Sequence, residues 1–462
     1  MRVLACLAAS IVLTAGITAL AEEFANGVHA PLPAGSYAIV VSKKTLADAP
    51  WKKVVEALEK KYEGRVFTFD YPNVDSTRES LAAYAPNYVC FVLEPGEASR
   101  VFVQDAAKLM RSLDPDPYVD AIWAILTGYA PGDALRIATA PPLEVARGVS
   151  HVTDGWLNWL EEGVSWSEVI KNGKYVKTKG EDVRNVVGPD DTVAEIVAEL
   201  NRGKSQIMSS SGHAREHDWN LGYTYKNGKF ISKQGKLFGV TTKKRELEIR
   251  SPNAKVYYSP GNCLIAHVAD MDCMALAWIH SGGANQFFGH IVPQYRSCWA
   301  WEVGNYFLTF QGRFDFAESV HFFRQDVIAR LQETENKETK FFLTSDRDST
   351  VLYGDPAWQA RVKPTTDPNY DQTLAVKDLP DGKVEITFTI KARRECTPTE
   401  PAATFLPLRI KNPSIARLDG AKAVVGKDFI LLRLLKEGEK SLVPTDTRGV
   451  RFSAERATKP AG

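Results

Sequence analysis

Two periods of apolar residues organise the first third of the chain. Residues 37–42, 65–69, 88–93 and 121–126 are short, nearly continuous apolar runs with the length of buried strands. Between the first two, Trp51, Val54, Val55, Leu58 and Tyr62 recur at helical spacing, with lysines and glutamates between them. Ser76 with Glu79 forms a capping-box pair that predicts a helix to about Tyr84, and residues 97–113 read as another helix. Strands alternating with amphipathic helices predict an α/β domain: a mostly parallel sheet with helices on both faces.

The pattern weakens over residues 140–188, where Trp156 and Trp159 suggest a packed excursion over the sheet. Thr192 and Glu195 make a second capping box, and Val193, Ile196, Val197 and Leu200 give its helix an apolar face. Residues 205–208 read as a strand that ends in Ser209-Ser210-Ser211-Gly212-His213-Ala214, and a hairpin turn is expected at Asn227-Gly228. Residues 255–258 read as a strand delivering Ser259-Pro260-Gly261-Asn262-Cys263. A helix over 270–281, a stop at Gly282-Gly283, a strand over 285–292 and helical pattern from 301 to 332 follow. Beyond Pro364 helical periodicity fades. Strands at 374–376, 384–390, 405–410 and 429–434, with a turn at Asp381-Gly382, predict an all-β sandwich over 365–455, and 456–462 read as a tail.

Charge and cysteine content narrow the function. The 462 residues carry 57 basic and 56 acidic side chains, so no basic excess points to nucleic acid. Arg2, the apolar residues 3–21 and the small-x-small Ala19-Leu20-Ala21 read as a signal peptide removed before Glu22. That predicts a secreted or periplasmic protein, free of the membrane after cleavage, with the α/β domain over 22–364. Five cysteines would then remain, Cys90, Cys263, Cys273, Cys298 and Cys396, an odd number that leaves at least one free thiol. No C-x-x-C occurs, so neither a zinc ribbon nor a thioredoxin motif is supported.

His213 and Cys263 both follow strands and both have glycine neighbours. In a parallel sheet, functional groups gather beyond the carboxyl ends of strands. An imidazole beside a thiol favours the thiolate and can protonate a leaving amine. Backbone N–H groups near Gly212 and Ala214 can stabilise an oxyanion.

These stretches resemble the gingipain-type cysteine peptidases of the caspase–gingipain–legumain clan. The strand into Ser211-Gly212-His213 resembles the clan's histidine strand. Tyr257-Tyr258-Ser259-Pro260-Gly261-Asn262-Cys263 resembles its cysteine strand, followed by a helix and the Gly-Gly strand 281–289. Leu352-Tyr353-Gly354-Asp355-Pro356-Ala357-Trp358 resembles the Gly-Asp-Pro signature near the end of the catalytic domain, after which an immunoglobulin-like domain follows. The resemblance implies a caspase-like sheet and a peptidase acting on protein or peptide substrates without metal or other cofactor. Cys263 would be the nucleophile, His213 the proton donor, and Gly212, Ala214 and Cys263 the oxyanion support. Ala214 and Ala266 stand where the clan usually has glycine. Thr127-Gly128-Tyr129 stands where a gingipain-type strand ends in Gly-Asp, so the supporting acid is sought at Asp120 or Asp133, or at Glu216 or Asp218.

Two other classes compete. His213-Ala214-Arg215-Glu216-His217 fits the inverted zinc-peptidase pattern, which needs both histidines on one helical face. An inactive gingipain-like binding protein would instead use Trp278, Trp299, Trp301, Tyr295 and Tyr306 as a groove.

Overall fold

The computed structural model describes residues 22–25, 36–153, 155–294, 299–398 and 401–457. The expected leader, Tyr295, Cys298 and residues 458–462 lie outside them. Twelve strands make the central sheet: β1 Tyr37–Ser42, β2 Arg65–Phe69, β3 Tyr88–Val92, β4 Ile122–Leu126, β5 Arg147–Val152, β6 Glu162–Ser167, β7 Gly173–Lys177, β8 Arg184–Val187, β9 Ile207–Ser210, β10 Lys255–Tyr258, β11 Ala284–His290 and β12 Thr350–Gly354. Their spatial order is β8-β7-β6-β5-β9-β10-β11-β12-β4-β3-β1-β2.

Two parallel blocks meet at one antiparallel contact, and β7 and β8 extend the second block as antiparallel edge strands. β2, β1, β3, β4 and β12 run in one sense. β11, β10, β9, β5 and β6 run in the other, and β11 meets β12 antiparallel. β1, β3 and β4 are buried along their whole length, as strands covered on both faces must be. Helices Ala49–Tyr62 and Pro131–Ala138 pack together, as do Arg100–Leu109 and Lys337–Ser349, while Phe316–Glu333 lies on β4.

Residues 140–188 are not an excursion. They supply β5 to β8 and extend the sheet. Their buried serines hid the pattern: Ser150 donates to Ser165 across the β5–β6 pair at 2.8 Å, so polar side chains satisfy one another inside the sheet. Neither capping box forms. Ser76 Oγ donates to the Asn73 carbonyl, and Thr77 and Thr192 precede their helices without side-chain caps. The hairpin also turns elsewhere. Gln234 and Gly235, at φ 49° and 71°, make the two-residue turn between strands Lys229–Lys233 and Lys236–Val240. Asn227 instead accepts from Thr192 N–H and donates to Thr192 Oγ1, and a Cβ on Gly228 would lie 2.3 Å from Val193 Cγ2.

Two antiparallel sheets form the C-terminal sandwich. The larger orders Tyr370–Asp378, Lys383–Ala392, Thr447–Arg456 and Ile410–Asp419, and Glu22–Ala25 adds to its edge beside Tyr370–Asp378. The smaller contains Ala402–Phe405, Phe429–Arg433 and Lys422–Val425. Lys427 joins this region to the α/β domain through Asp114, at 2.8 Å, and through Asp120, while Arg433 reaches Asp326 at 3.1 Å.

Candidate active site

β6, β5, β9 and β10 lie side by side and parallel, so their carboxyl ends open on one rim. β9 carries Ser211, Gly212 and His213; β10 carries the Ser259–Cys263 loop. Asn262, the residue before the cysteine, is fully buried. Its Oδ1 accepts from Ser210 Oγ at 2.6 Å and from Ser259 Oγ at 2.7 Å, and its Nδ2 donates to the Gly212 carbonyl at 2.8 Å. The residue preceding Cys263 is therefore bonded to the residue preceding His213, and the two loops form one unit. A Cβ on Gly261 would lie 3.2 Å from Ser211 Cβ and 3.3 Å from Trp301 Cζ2. Glycine is what lets the loops approach.

The cysteine is half-buried and has no disulfide among the described residues. Its Sγ accepts the Gln294 N–H at 3.2 Å and lies 3.5 Å from the Gln294 carbonyl, just beyond β11. Cys90 and Cys273 are fully buried; burial pushes the Cys273 thiol up to about 12 and the Cys90 thiol higher still, which keeps both in the inert thiol form. The partial exposure of Cys263 sets it apart from those two.

The imidazole of His213 is exposed and stacks on Tyr223, with centroids 4.8 Å apart and planes 27° off parallel. Beneath it lies Glu168, only 2 % exposed, just past the end of β6. Glu168 Oε1 accepts from Thr153 Oγ1 at 2.5 Å and from Ser211 Oγ at 2.6 Å; Oε2 is buried without a hydrogen-bond partner. Oε2 points at the loop, since a Cβ on Gly212 would sit 2.2 Å from it. At φ +92°, Gly212 also holds a backbone shape that disfavours other residues. Burial raises the Glu168 carboxyl above its ordinary range, against the pull of Ser211, Thr153 and the nearby His213 charge. The Glu168 carbonyl accepts from Tyr223 N–H at 2.9 Å, so one residue supports both His213 and the ring stacked on it.

Sequence reasoning missed Glu168 because it missed β6. The acids it did name are placed elsewhere. Asp120, at the amino end of β4, is pushed up to about 7 by burial, which outweighs the opposing pull of Lys427, and accepts from Leu113 N–H. Asp133 pairs with His280 at 3.0 Å and Asp218 with Lys229 at 3.3 Å. Glu216 pairs with His267 at 3.2 Å. None of these contacts reaches His213.

Ala214 keeps its N–H directed away from the local pairing. Its bridge to Trp219 is closed by Arg215 N–H to Asp218 O and Asn220 N–H to His213 O, both 2.8 Å. The zinc pattern does not form its helical face. His213 stacks on Tyr223, Glu216 meets His267, and His217 Nε2 meets Asp270 at 3.0 Å. Among the described residues no group of three or more His, Cys, Asp or Glu side chains could hold a metal ion. Of the proposed aromatic groove, Trp278 and Tyr306 are core residues. Trp301 is half-buried and stacks on Trp156 at 6.1 Å, forming a wall beside the cysteine loop.

No protein-family model and no curated protein sequence matches this chain. Among solved structures, the chain is similar to the Arg-specific cysteine proteinase gingipain R, at 11 % identity and a TM-score of 0.45, over 91 % of this chain and 99 % of that one.

Proposed function

We propose that the protein is a cysteine endopeptidase of the gingipain type. His213 takes the Cys263 thiol proton as Sγ attacks the peptide carbonyl, and gives it to the departing amine as the tetrahedral intermediate breaks its C–N bond and collapses to a thioester. Water then cleaves the thioester. The N–H groups of Ala214 and Cys263, with Gly212 shaping the approach, hold the developing oxyanion. Glu168 is a positioning residue that fixes the His213 loop from below. The observation that carries this reading is the Asn262–Gly212 hydrogen bond, which ties the residues before the two reactive groups together at the ends of adjacent parallel strands. The apolar stretch before Glu22 supports export to the periplasm or beyond.

The test is a peptide library digested by wild type and by Cys263→Ala. The variant is expected to stay folded and to lose activity by on the order of 1,000-fold or more; hydrolysis at the wild-type rate sinks the proposal. A binding protein on the same scaffold is the second reading, favoured by the thiol's hydrogen bonds to Gln294 rather than to His213. Folded protein that binds peptides without cleaving them, with Cys263 resistant to iodoacetamide, would support it.

A further inference from the structure

The first parallel block has a site of its own, built from residues that the peptidase reading does not use. β1 is followed by β2 on one side and by β3 on the other, so the chain reverses its direction of travel between β1 and β3. In open α/β sheets such a switch point leaves a crevice beyond the strands' carboxyl ends, where ligands bind. Here a cavity of about 330 Å³ occupies that place, within the range of small-molecule sites. Its lining comes from the segments directly after β1 (Lys43, Lys44), β2 (Asp70, Tyr71) and β3 (Glu94, Gly96, Glu97).

The charges on this lining are unequal. At the rim Lys43 pairs with Asp70 at 2.7 Å, and Lys44 pairs with Glu94. These pairs neutralise one another. Glu97, only 2 % exposed, is left over. Its carboxylate accepts from Ser42 Oγ, at 2.9 and 2.8 Å to its two oxygens, and from Thr45 Oγ1 at 2.6 Å. Among the described residues no basic side chain forms an ion pair with it; Lys44 feels its field but makes its own bond to Glu94. A buried carboxylate held by neutral hydroxyls lacks the counter-ion that burial ordinarily demands. Tyr71, 38 % exposed and stacked on Phe102, adds an aromatic wall that suits a cation.

We propose that this crevice binds a small organic monocation, an amine or a guanidine, with its charged head against Glu97 and its stem along Tyr71. With the rim charges paired off, the single carboxylate of Glu97 matches one positive charge, and the cavity of about 330 Å³ sets the upper size of the ligand.

Calorimetric titration of the full chain with n-butylguanidinium, n-butylammonium and n-butyrate tests the assignment. The expected result is saturable one-to-one binding of both cations and none of butyrate. Glu97→Gln, which keeps an acceptor for Ser42 and Thr45, should weaken the cations by about tenfold or more, the cost of one charge-assisted contact. Gly96→Leu provides an independent variant: a Cβ there meets nothing within 4 Å, so the side chain can fill the cavity without touching the Glu97 bonds. It should abolish binding. Absence of saturable binding, a preference for butyrate, undiminished affinity in Glu97→Gln, or retained binding in Gly96→Leu would each overturn the proposal. Should Glu97→Gln fail to fold, Gly96→Leu decides.

Discussion

Glu168 and Asn262 do different work around the same pair of loops. Asn262 spends both ends of its amide on neighbours and fixes where the loops lie relative to each other. Glu168 spends one oxygen on Thr153 and Ser211 and keeps the other beneath Gly212, where it bears on His213. On the proposed mechanism Glu168 positions the general acid, a role that matters most in the transition state. Glu168→Gln is therefore expected to lower kcat by about ten- to a hundred-fold with KM and melting temperature nearly unchanged. Steady-state kinetics beside a thermal melt separates this from a merely structural role, which would lower stability as well. At this scale the placement of His213 and Cys263 on neighbouring strand-end loops was legible, because each is a rare side chain in a glycine-containing loop. The sequence was opaque for Glu168 and Gln294, which are ordinary residue types made special only by what folds around them.

Among elements, the long apolar strands were read almost to the residue, because a run such as Tyr88–Val92 has no other way to be buried. Local capping and turn signals did worse. Ser76 turned to the Asn73 carbonyl three residues back, and Thr192 and Asn227 bonded each other across the fold, uses that outweighed the expected cap and turn. The loops after β9 and β10 carry an additional tie, Glu216 to His267, and its dependence on pH can be worked out. Burial alone would raise the Glu216 carboxyl, but a backbone hydrogen bond and then His267 hold it below its ordinary 4.5. A carboxyl lowered on folding stabilises the native state above the unfolded value, and that contribution is lost as pH falls through the folded one. Denaturant midpoints measured from pH 6 down to about pH 3 should fall less steeply in Glu216→Gln than in wild type; parallel slopes would exclude this role.

Across the whole molecule, the Gly-Asp-Pro stretch has a structural meaning that composition does not reveal. Gly354, at φ +126°, ends β12 where a Cβ would lie 2.3 Å from the Asn285 carbonyl. Asp355 is fully buried and accepts from Tyr37 and Tyr62 hydroxyls, at 2.9 and 2.7 Å, from Ala357 N–H at 3.0 Å, and from Lys61 at 3.3 Å. It thus fastens the end of the α/β domain to its first strand and first long helix. Removing it takes the acceptor from two phenols and leaves Lys61 only the Ala140 carbonyl, at 3.2 Å, so Asp355→Ala should cost about 3–5 kcal/mol, read as a lower urea midpoint. The division into an α/β region and a β-rich region was legible from the change of period near Pro364. The size of the sheet was not, since β5 and β6 bury serines and β7 and β8 are half-buried or exposed along most of their length, and neither was the edge strand Glu22–Ala25, which pairs with residues some 350 positions away.

The antiparallel contact between β11 and β12 sets a timetable for the ribosome. β12 is the piece that closes the gap between the two blocks, yet it is nearly the last part of the α/β region to be made. Until residue 354 has left the exit tunnel, β4 and β11 each present a bare, fully buried-type edge with no partner. Such edges are templates for intermolecular pairing. Nascent chains stalled before Thr350 should therefore associate with one another or with a holdase chaperone, whereas chains released past Trp358 should not, a difference that sedimentation of stalled ribosome complexes can read.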